Sequence, residues 1–344
     1  MLISSFFHND PSSAFIFRAG VVFSTLGPYF LIRCFCTSPS DVIHLIEITA
    51  VLLAPVALEM LFEKLTGTNL FAIFGGVPED SLVRNGTIRA QGPFAHSILA
   101  GTIGAASIPL FAGIAHLQKW KARVGIAASL IMVLSSGSSG PILTTAAGVG
   151  AMCLWRLRKH TRAIRWGCFG LYLLLELLMK PPAYFILARI DLTGSSTGWH
   201  RAELIHSSIN HLGEWWFAGT DYTRHWMPTG VTWNEDHTDI TNEYIKMGVH
   251  GGLPLLLLFG GSLVIGFRYI GKTLADEREG SFVTWAIGSA LFAHAVTFIS
   301  VSYFDQSMLF VFAILASISA VHSFRKRQHL NFQRPASAAG AATA

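Results

Sequence analysis

Apolar runs long enough to cross a bilayer core of roughly 30 Å recur near 12–36, 41–62, 94–116, 122–136, 139–155, 163–180, 246–267, 282–300 and 306–322. They predict about nine membrane helices. Two of the intervening polar segments are long, 63–93 and 181–242. Within the second, Leu204, Ile205, Ile209, Leu212, Trp215 and Trp216 recur at helical spacing, with Glu203, His206, Ser207, Asn210 and Glu214 between them. That pattern predicts an amphipathic helix from about His200 to Phe217, lying on the membrane or capping the bundle. Pro181-Pro182 stops the helix before the loop, and Gly194-Ser-Ser-Thr-Gly198 reads as a turn and helix cap. The fold class expected is an all-α integral membrane protein. One polytopic domain covers 1–330, and a disordered tail, basic and then Ala-rich, follows at 331–344.

Composition agrees with this pattern, since 51% of residues are hydrophobic and only 13% charged, too apolar for a water-soluble domain of this length. The N-terminus lacks a basic region before its first apolar run, so no cleavable signal peptide is expected. The net charge of +5 changes the picture only through its distribution. Lys119, Lys121 and Arg123 form one basic cluster, and Arg156, Arg158, Lys159, Arg162 and Arg165 a second. Arg268, Lys272 and Arg278 form a third, and Arg325, Lys326 and Arg327 a fourth. With nine spans all four fall on one side, which the positive-inside rule makes the cytoplasm, together with the C-terminus. The loops 63–93 and 181–242 then face outward, and nucleic acid is not an expected partner. Cys34, Cys36, Cys153 and Cys168 lie near cytoplasmic ends, so no disulfide framework is expected.

The outer segments carry the candidate chemistry. Arg84 and Arg89 precede Gly92-Pro-Phe-Ala-His96 at the mouth of the third span, where guanidinium forks suit phosphate oxygens. Arg201 lies four residues before Ile205 and eight before Ile209, so it projects from the apolar stripe and needs an anionic partner. Arg224 follows in the same loop. Asp239 or His237, just before the seventh span, is placed to accept a proton from an acceptor hydroxyl, and Asp239 also suits the cap of that helix. Trp199, Trp215, Trp216, Trp226 and Trp233 form either an interfacial belt or flat faces for sugar rings, with Trp226 and Trp233 the better sugar candidates. His237 with His200, His206 or His211 has no spacing of the His-Glu-x-x-His kind, so no metal is expected. Elsewhere, Arg18 is expected to snorkel to the outer headgroups, and Glu176 and Lys180, four apart, to form a local ion pair.

Ser135-Ser-Gly-Ser-Ser-Gly-Pro141 has the small residues of a tight outer turn. Its Gly137-Ser138-Ser139-Gly140 also resembles the Gly-x-Ser-Gly of rhomboid intramembrane proteases, in which case Ser139 would be a nucleophile and His294 its base. A wider resemblance covers roughly 80–265. Arg84 and Arg89 with Gly92-Pro-Phe-x-His96, the Ser-Gly turn, Arg201 opening a helix that ends in Glu214-Trp-Trp, and Asp239-Ile-Thr-Asn242-Glu-Tyr244 before Gly248-x-x-Gly251-Gly252 together resemble the O-antigen ligase and polymerase superfamily of the bacterial inner membrane. The resemblance implies a large periplasmic loop over the active site and arginines that hold a polyprenyl-pyrophosphate carrier. It also implies transfer of the carried glycan to an acceptor hydroxyl, without metal or other cofactor. Many members have Ser-Arg-Gly at the short turn, where this chain has Ser138-Ser139-Gly140. Many also have histidine shortly before Asn-x-Tyr, where this chain has Asp239 and Thr241. The base therefore stands between Asp239 and His237. A transporter or flippase for a lipid-linked glycan would share the arginines without needing either.

Overall fold

A computed structural model describes residues 1–189, 198–275 and 281–333. The fold is all-α. Its long helices are α1 (Pro11–Phe35), α2 (Pro39–Thr66), α3 (Ser97–Ile114), α4 (Lys119–Ser135), α5 (Ser139–Cys153) and α6 (Thr161–Leu178). After the loop helices α7 (Gly198–Asn210) and α8 (Leu212–Trp215) come α9 (Glu243–Ala275), α10 (Ser281–Thr297) and α11 (Ser307–Gln333). Each of the nine apolar runs lies on one of the long helices. Five of them, α1, α2, α3, α9 and α11, are long and apolar enough to cross a membrane among the described residues. A sixth is counted if Ser139–Leu178 and Ala183–Arg189, bent by 85°, form one broken span.

Helix α3 is the axis of the bundle, with α2, α4, α5 and α10 packed around it. Small residues make this possible, as is usual where lipid supplies no hydrophobic drive between helices. A Cβ on Gly101 would stand 2.6 Å from both the Pro141 ring and the Ser136 hydroxyl, so glycine there seats the α4–α5 turn against α3. The core continues through Leu99, Ile103, Phe111, Met132, Leu291, Phe298 and Tyr303, all buried.

Between α6 and α9 the long connecting loop folds on a small core, formed by Leu204, Trp215, Trp226 and Met227 with Ile245 and Val249 of α9. Its junction with the bundle is a break in α9 at Gly251 and Gly252. Gly252 has φ +72° and Gly219 φ +98°. A Cβ on Gly252 would stand 2.4 Å from the Phe217 carbonyl oxygen, and one on Gly219 2.1 Å from that of Val249. The Leu253 amide donates to the Trp216 carbonyl at 2.7 Å, and the Thr220 amide to that of Val249 at 3.0 Å. Residues 216–220 are thus clamped into the break, and the first part of α9 bridges the two cores, Ile245 and Val249 joining the loop core and Tyr244 and Met247 the bundle core.

Several local expectations are corrected. Arg18 does not snorkel; it is buried, and its guanidinium donates to the hydroxyls of Ser4 and Ser5, at 3.1 and 3.2 Å, because the N-terminal 3-10 turn folds back over α1. Glu176 accepts from the Ala183 amide at 2.8 Å. The double proline bends the chain back over the helix end, so that carboxylate satisfies backbone rather than Lys180. The connection between α2 and α3 contains a hairpin, β1 (Leu82–Arg84) and β2 (Thr87–Arg89). The four cysteines are free thiols. The expected turn at Gly194–Thr197, Arg278 of the third basic cluster, and the tail from 334 onward lie outside the described residues.

Candidate anion-binding site

Asn85-Gly86 turns the β1–β2 hairpin, with φ +53° and +72°, the signature of a two-residue primed turn. Leu82 pairs with Arg89 and Arg84 with Thr87. Directly opposed residues project from the same face of an antiparallel pair, so Arg84 and Arg89 share one face, Arg84 at the turn and Arg89 at the base. The base is fixed to the bundle where the Ala90 amide donates to the Ser135 carbonyl at 3.1 Å.

Arg84 is exposed and Arg89 is buried, at 5% relative exposure. Arg89 donates from Nη2 to Ser138 Oγ at 2.9 Å, while its Nε is buried with no partner among the described residues. The Ser-Gly turn therefore contacts the guanidinium directly. Gly137, at φ +57°, leaves room beside the Arg89 stem and Lys64 Nζ, each 3.3 Å from where a Cβ would sit. Lys64 donates to the Ile88 carbonyl. His96, the N-cap of α3, accepts the Ile98 amide on Nδ1 at 3.1 Å. Burial, then Arg89 and Arg84, push its pKa down to about 4. At neutral pH it is thus uncharged, and with Nδ1 accepting, the proton sits on Nε2.

The loop supplies the other half. Arg201 in α7 is 8% exposed, and its Nε is buried without a partner among the described residues. Its neighbour His200 donates from Nε2 to the Asp239 carbonyl at 2.8 Å, leaving a buried Nδ1 lone pair unpartnered. Electrostatics link the two halves. Burial first, then Arg84 and Arg201, lower the pKa of Arg89; burial first, then Arg84, lower that of Arg201, while Asp239 opposes. The Asp239 carboxyl is raised by burial and drawn back by His200 and Arg201. The three guanidiniums are therefore within electrostatic reach of one another, and among the described residues none has a carboxylate within salt-bridge distance. Buried polar groups are normally satisfied, so two orphaned guanidinium N–H groups within reach of each other's charge mark a place built for an anion.

Asp239 does not cap α9. Asn242 does, its side-chain oxygen accepting the Ile245 amide at 3.1 Å, which leaves the half-buried Asp239 carboxylate within electrostatic reach of His200 and Arg201. Arg224 is not drawn into the cluster. Its guanidinium donates to the carbonyls of Met227 at 2.6 Å and Gly230 at 3.4 Å, and to that of Pro228. Trp226 is buried, with Nε1 donating to Glu214 Oε2 at 3.0 Å, so it presents no face to a sugar. Trp233 is exposed and sits edge-on to Phe304, with ring centroids 5.8 Å apart. His237 is half-buried at the hairpin-like tip and lies 3.3 Å from the Thr223 hydroxyl. Ser139 is buried, and His294 meets the Tyr303 hydroxyl through Nδ1 at 2.7 Å; no hydrogen bond joins Ser139 to His294 among the described residues. From the sequence, Lys64 has no assigned role and His200 enters only as a discounted metal ligand. On α7, Leu204 is buried as expected, but Ile209 is exposed, as is Trp216 at the end of α8.

No protein-family model matches the chain, and no curated protein matches it.

Proposed function

We propose that the chain is a membrane enzyme that transfers a glycan from a polyprenyl-pyrophosphate carrier to an acceptor hydroxyl, as in the O-antigen ligase and polymerase superfamily that its motifs resemble. The observation that carries this reading is the pair of buried guanidiniums Arg89 and Arg201, from two segments more than a hundred residues apart, each with a buried Nε–H unpartnered among the described residues and each within electrostatic reach of the exposed Arg84. A pyrophosphate leaving group gains charge as the sugar C1–O bond breaks, and preorganised donors in a water-poor site stabilise that charge. His96 adds an uncharged donor from Nε2. Asp239 is the favoured base, since it lies within electrostatic reach of Arg201, with His237 second. No nucleotide or metal is needed for such a transfer. The short helices α4, α5 and α10 pack along α3, which supports nine crossings, with the basic connections cytoplasmic and the loop periplasmic in a bacterial inner membrane. The outward Trp199, Ile209 and Trp216 then meet the membrane interface.

The test is transfer in nanodiscs from a short-chain polyprenyl-pyrophosphoryl sugar. Asp239→Asn is expected to reduce turnover about 100-fold or more while carrier binding persists, and Arg89→Ala to weaken both. Full activity in both Arg89→Ala and Arg201→Ala sinks the reading. Carrier binding that needs the arginines, with transport across vesicles that survives Asp239→Asn and His237→Asn, would instead identify a transporter of lipid-linked glycan.

A further inference from the structure

A second constellation in the loop is separate from the arginines. His211 closes α7, Glu214 lies one turn further on in α8, and His225 sits in the 3-10 turn Arg224–Trp226. One ligand atom from each lies within 4.8 Å of the other two. We propose that His211, Glu214 and His225 bind a divalent transition-metal ion of the zinc class, which clips the end of α8 to the 3-10 turn. Ten residues separate Arg201 from His211, about 15 Å along a helix, so the ion takes no part in the transfer.

The ligands are prepared for this. His211 Nδ1 lies 2.8 Å from the Ser207 carbonyl, an acceptor, so Nδ1 carries the proton and Nε2 offers a lone pair. A metal-ligating histidine is usually oriented in this way by its other nitrogen. Glu214 Oε2 accepts from Trp226 Nε1 at 3.0 Å, which aims the carboxylate. His225 Nε2 faces both Glu214 oxygens, at 3.1 and 2.9 Å. The ring of His211 stacks on Trp226, centroids 5.9 Å apart and 18° between planes, and that of His225 on Tyr222, 5.1 Å and 9°.

Zinc stands about 2 Å from nitrogen and carboxylate ligands, so the exposed Glu214 and His225 side chains need only rotate inward. The ion takes the place of the His225 Nε2 proton, and the ring keeps or gains its single proton on Nδ1 by exchange with solvent, so that His225 binds as a neutral imidazole. Two imidazoles and a carboxylate suit zinc and leave a fourth position for water, whereas magnesium and calcium prefer oxygen throughout. The spacing His-x2-Glu-x10-His matches no common motif, since the third ligand is delivered by the loop's fold.

The test uses the full chain in detergent, free of any polyhistidine tag, stripped with chelator and titrated with Zn2+ alone. One equivalent is expected to bind. Affinity should fall at least tenfold in His225→Gln and Glu214→Gln, which keep their exposed positions and, for Glu214→Gln, an acceptor for Trp226. His206→Gln and His237→Gln should leave it unchanged. Co2+ should give a visible absorption band in the wild type that both ligand variants lose. Absence of zinc binding, or wild-type affinity in the double variant Glu214→Gln/His225→Gln, overturns the proposal.

Discussion

The two ends of the bundle treat their cations differently. Near the start of α2, Lys121 reaches the buried Glu47 at 2.6 Å, with His44 at 3.4 Å from the same carboxylate. Arg327 donates there to the Thr37 carbonyl at 3.0 Å. Beyond the other end of α2, Arg89 and Arg201 are more deeply buried, yet they repel each other and Arg84 electrostatically, and each has an N–H left over among the described residues. An interior charge without an opposite charge works against folding. The first end pairs its charges within the chain, and the second leaves them unpaired among the described residues, as the proposed anionic ligand requires.

That contrast can be broken or sharpened by substitution. The largest effect is expected from Arg201→Met, which should lower transfer about 100- to 1000-fold, the scale of losing one preorganised donor. Its resistance to unfolding in detergent should be unchanged or raised, since one of three repelling charges is gone; a marked loss of stability would show that Arg201 holds the fold instead. Lys121→Ala is the opposite case. Leaving Glu47 buried without its lysine should destabilise the chain by about 3 kcal/mol, recovered in part by Glu47→Gln, with turnover per folded molecule unaffected.

A smaller effect concerns pH. His96 has a folded pKa of about 4, below its ordinary 6.5, so the unfolded chain binds the proton more readily between those values. Stability should therefore be full above pH 6.5 and decline as pH falls towards 4, by about 2 kcal/mol once partial exposure is allowed for. His96→Gln should flatten that slope in unfolding curves. A slope unaltered by the substitution would remove His96 from the cluster's electrostatics. The smallest effect is expected from Trp233→Ala, about 1 kcal/mol of glycan affinity seen in KM alone; a change in kcat would place Trp233 nearer the reacting atoms.

Much of the bundle was legible because helical apolar periodicity is a local property, and every run lies on a helix. The break in α9 was less so. Gly251-Gly252 stood in the sequence, but the reason for it, the approach of the Phe217 and Trp216 carbonyls to Gly252, is a contact across more than thirty residues. Arg201 was legible from its place before Ile205 and Ile209, although the buried face proved to be that of Leu204, Ser207 and Ser208 rather than Ile209. The hairpin had a readable signal in Asn85-Gly86, and reading it would have put Arg84 and Arg89 on one face. Arg224 and Trp226 were candidates by residue type alone. Their engagement with Pro228 and Glu214 depends on how an irregular loop closes, for which periodicity carries no information.

The clamp at Gly219 and Gly252 also dictates an order of assembly. Residues 216–220 leave the ribosome before the Val249–Leu253 segment that receives them, so the loop has nowhere to dock until α9 has been made and inserted. Arg84 and Arg89 are already held by their hairpin against the α4–α5 turn, while Arg201 waits on a segment still without its seat. The three like charges are brought together only in the last stage of biogenesis, when most of the bundle that must hold them against their repulsion is in place.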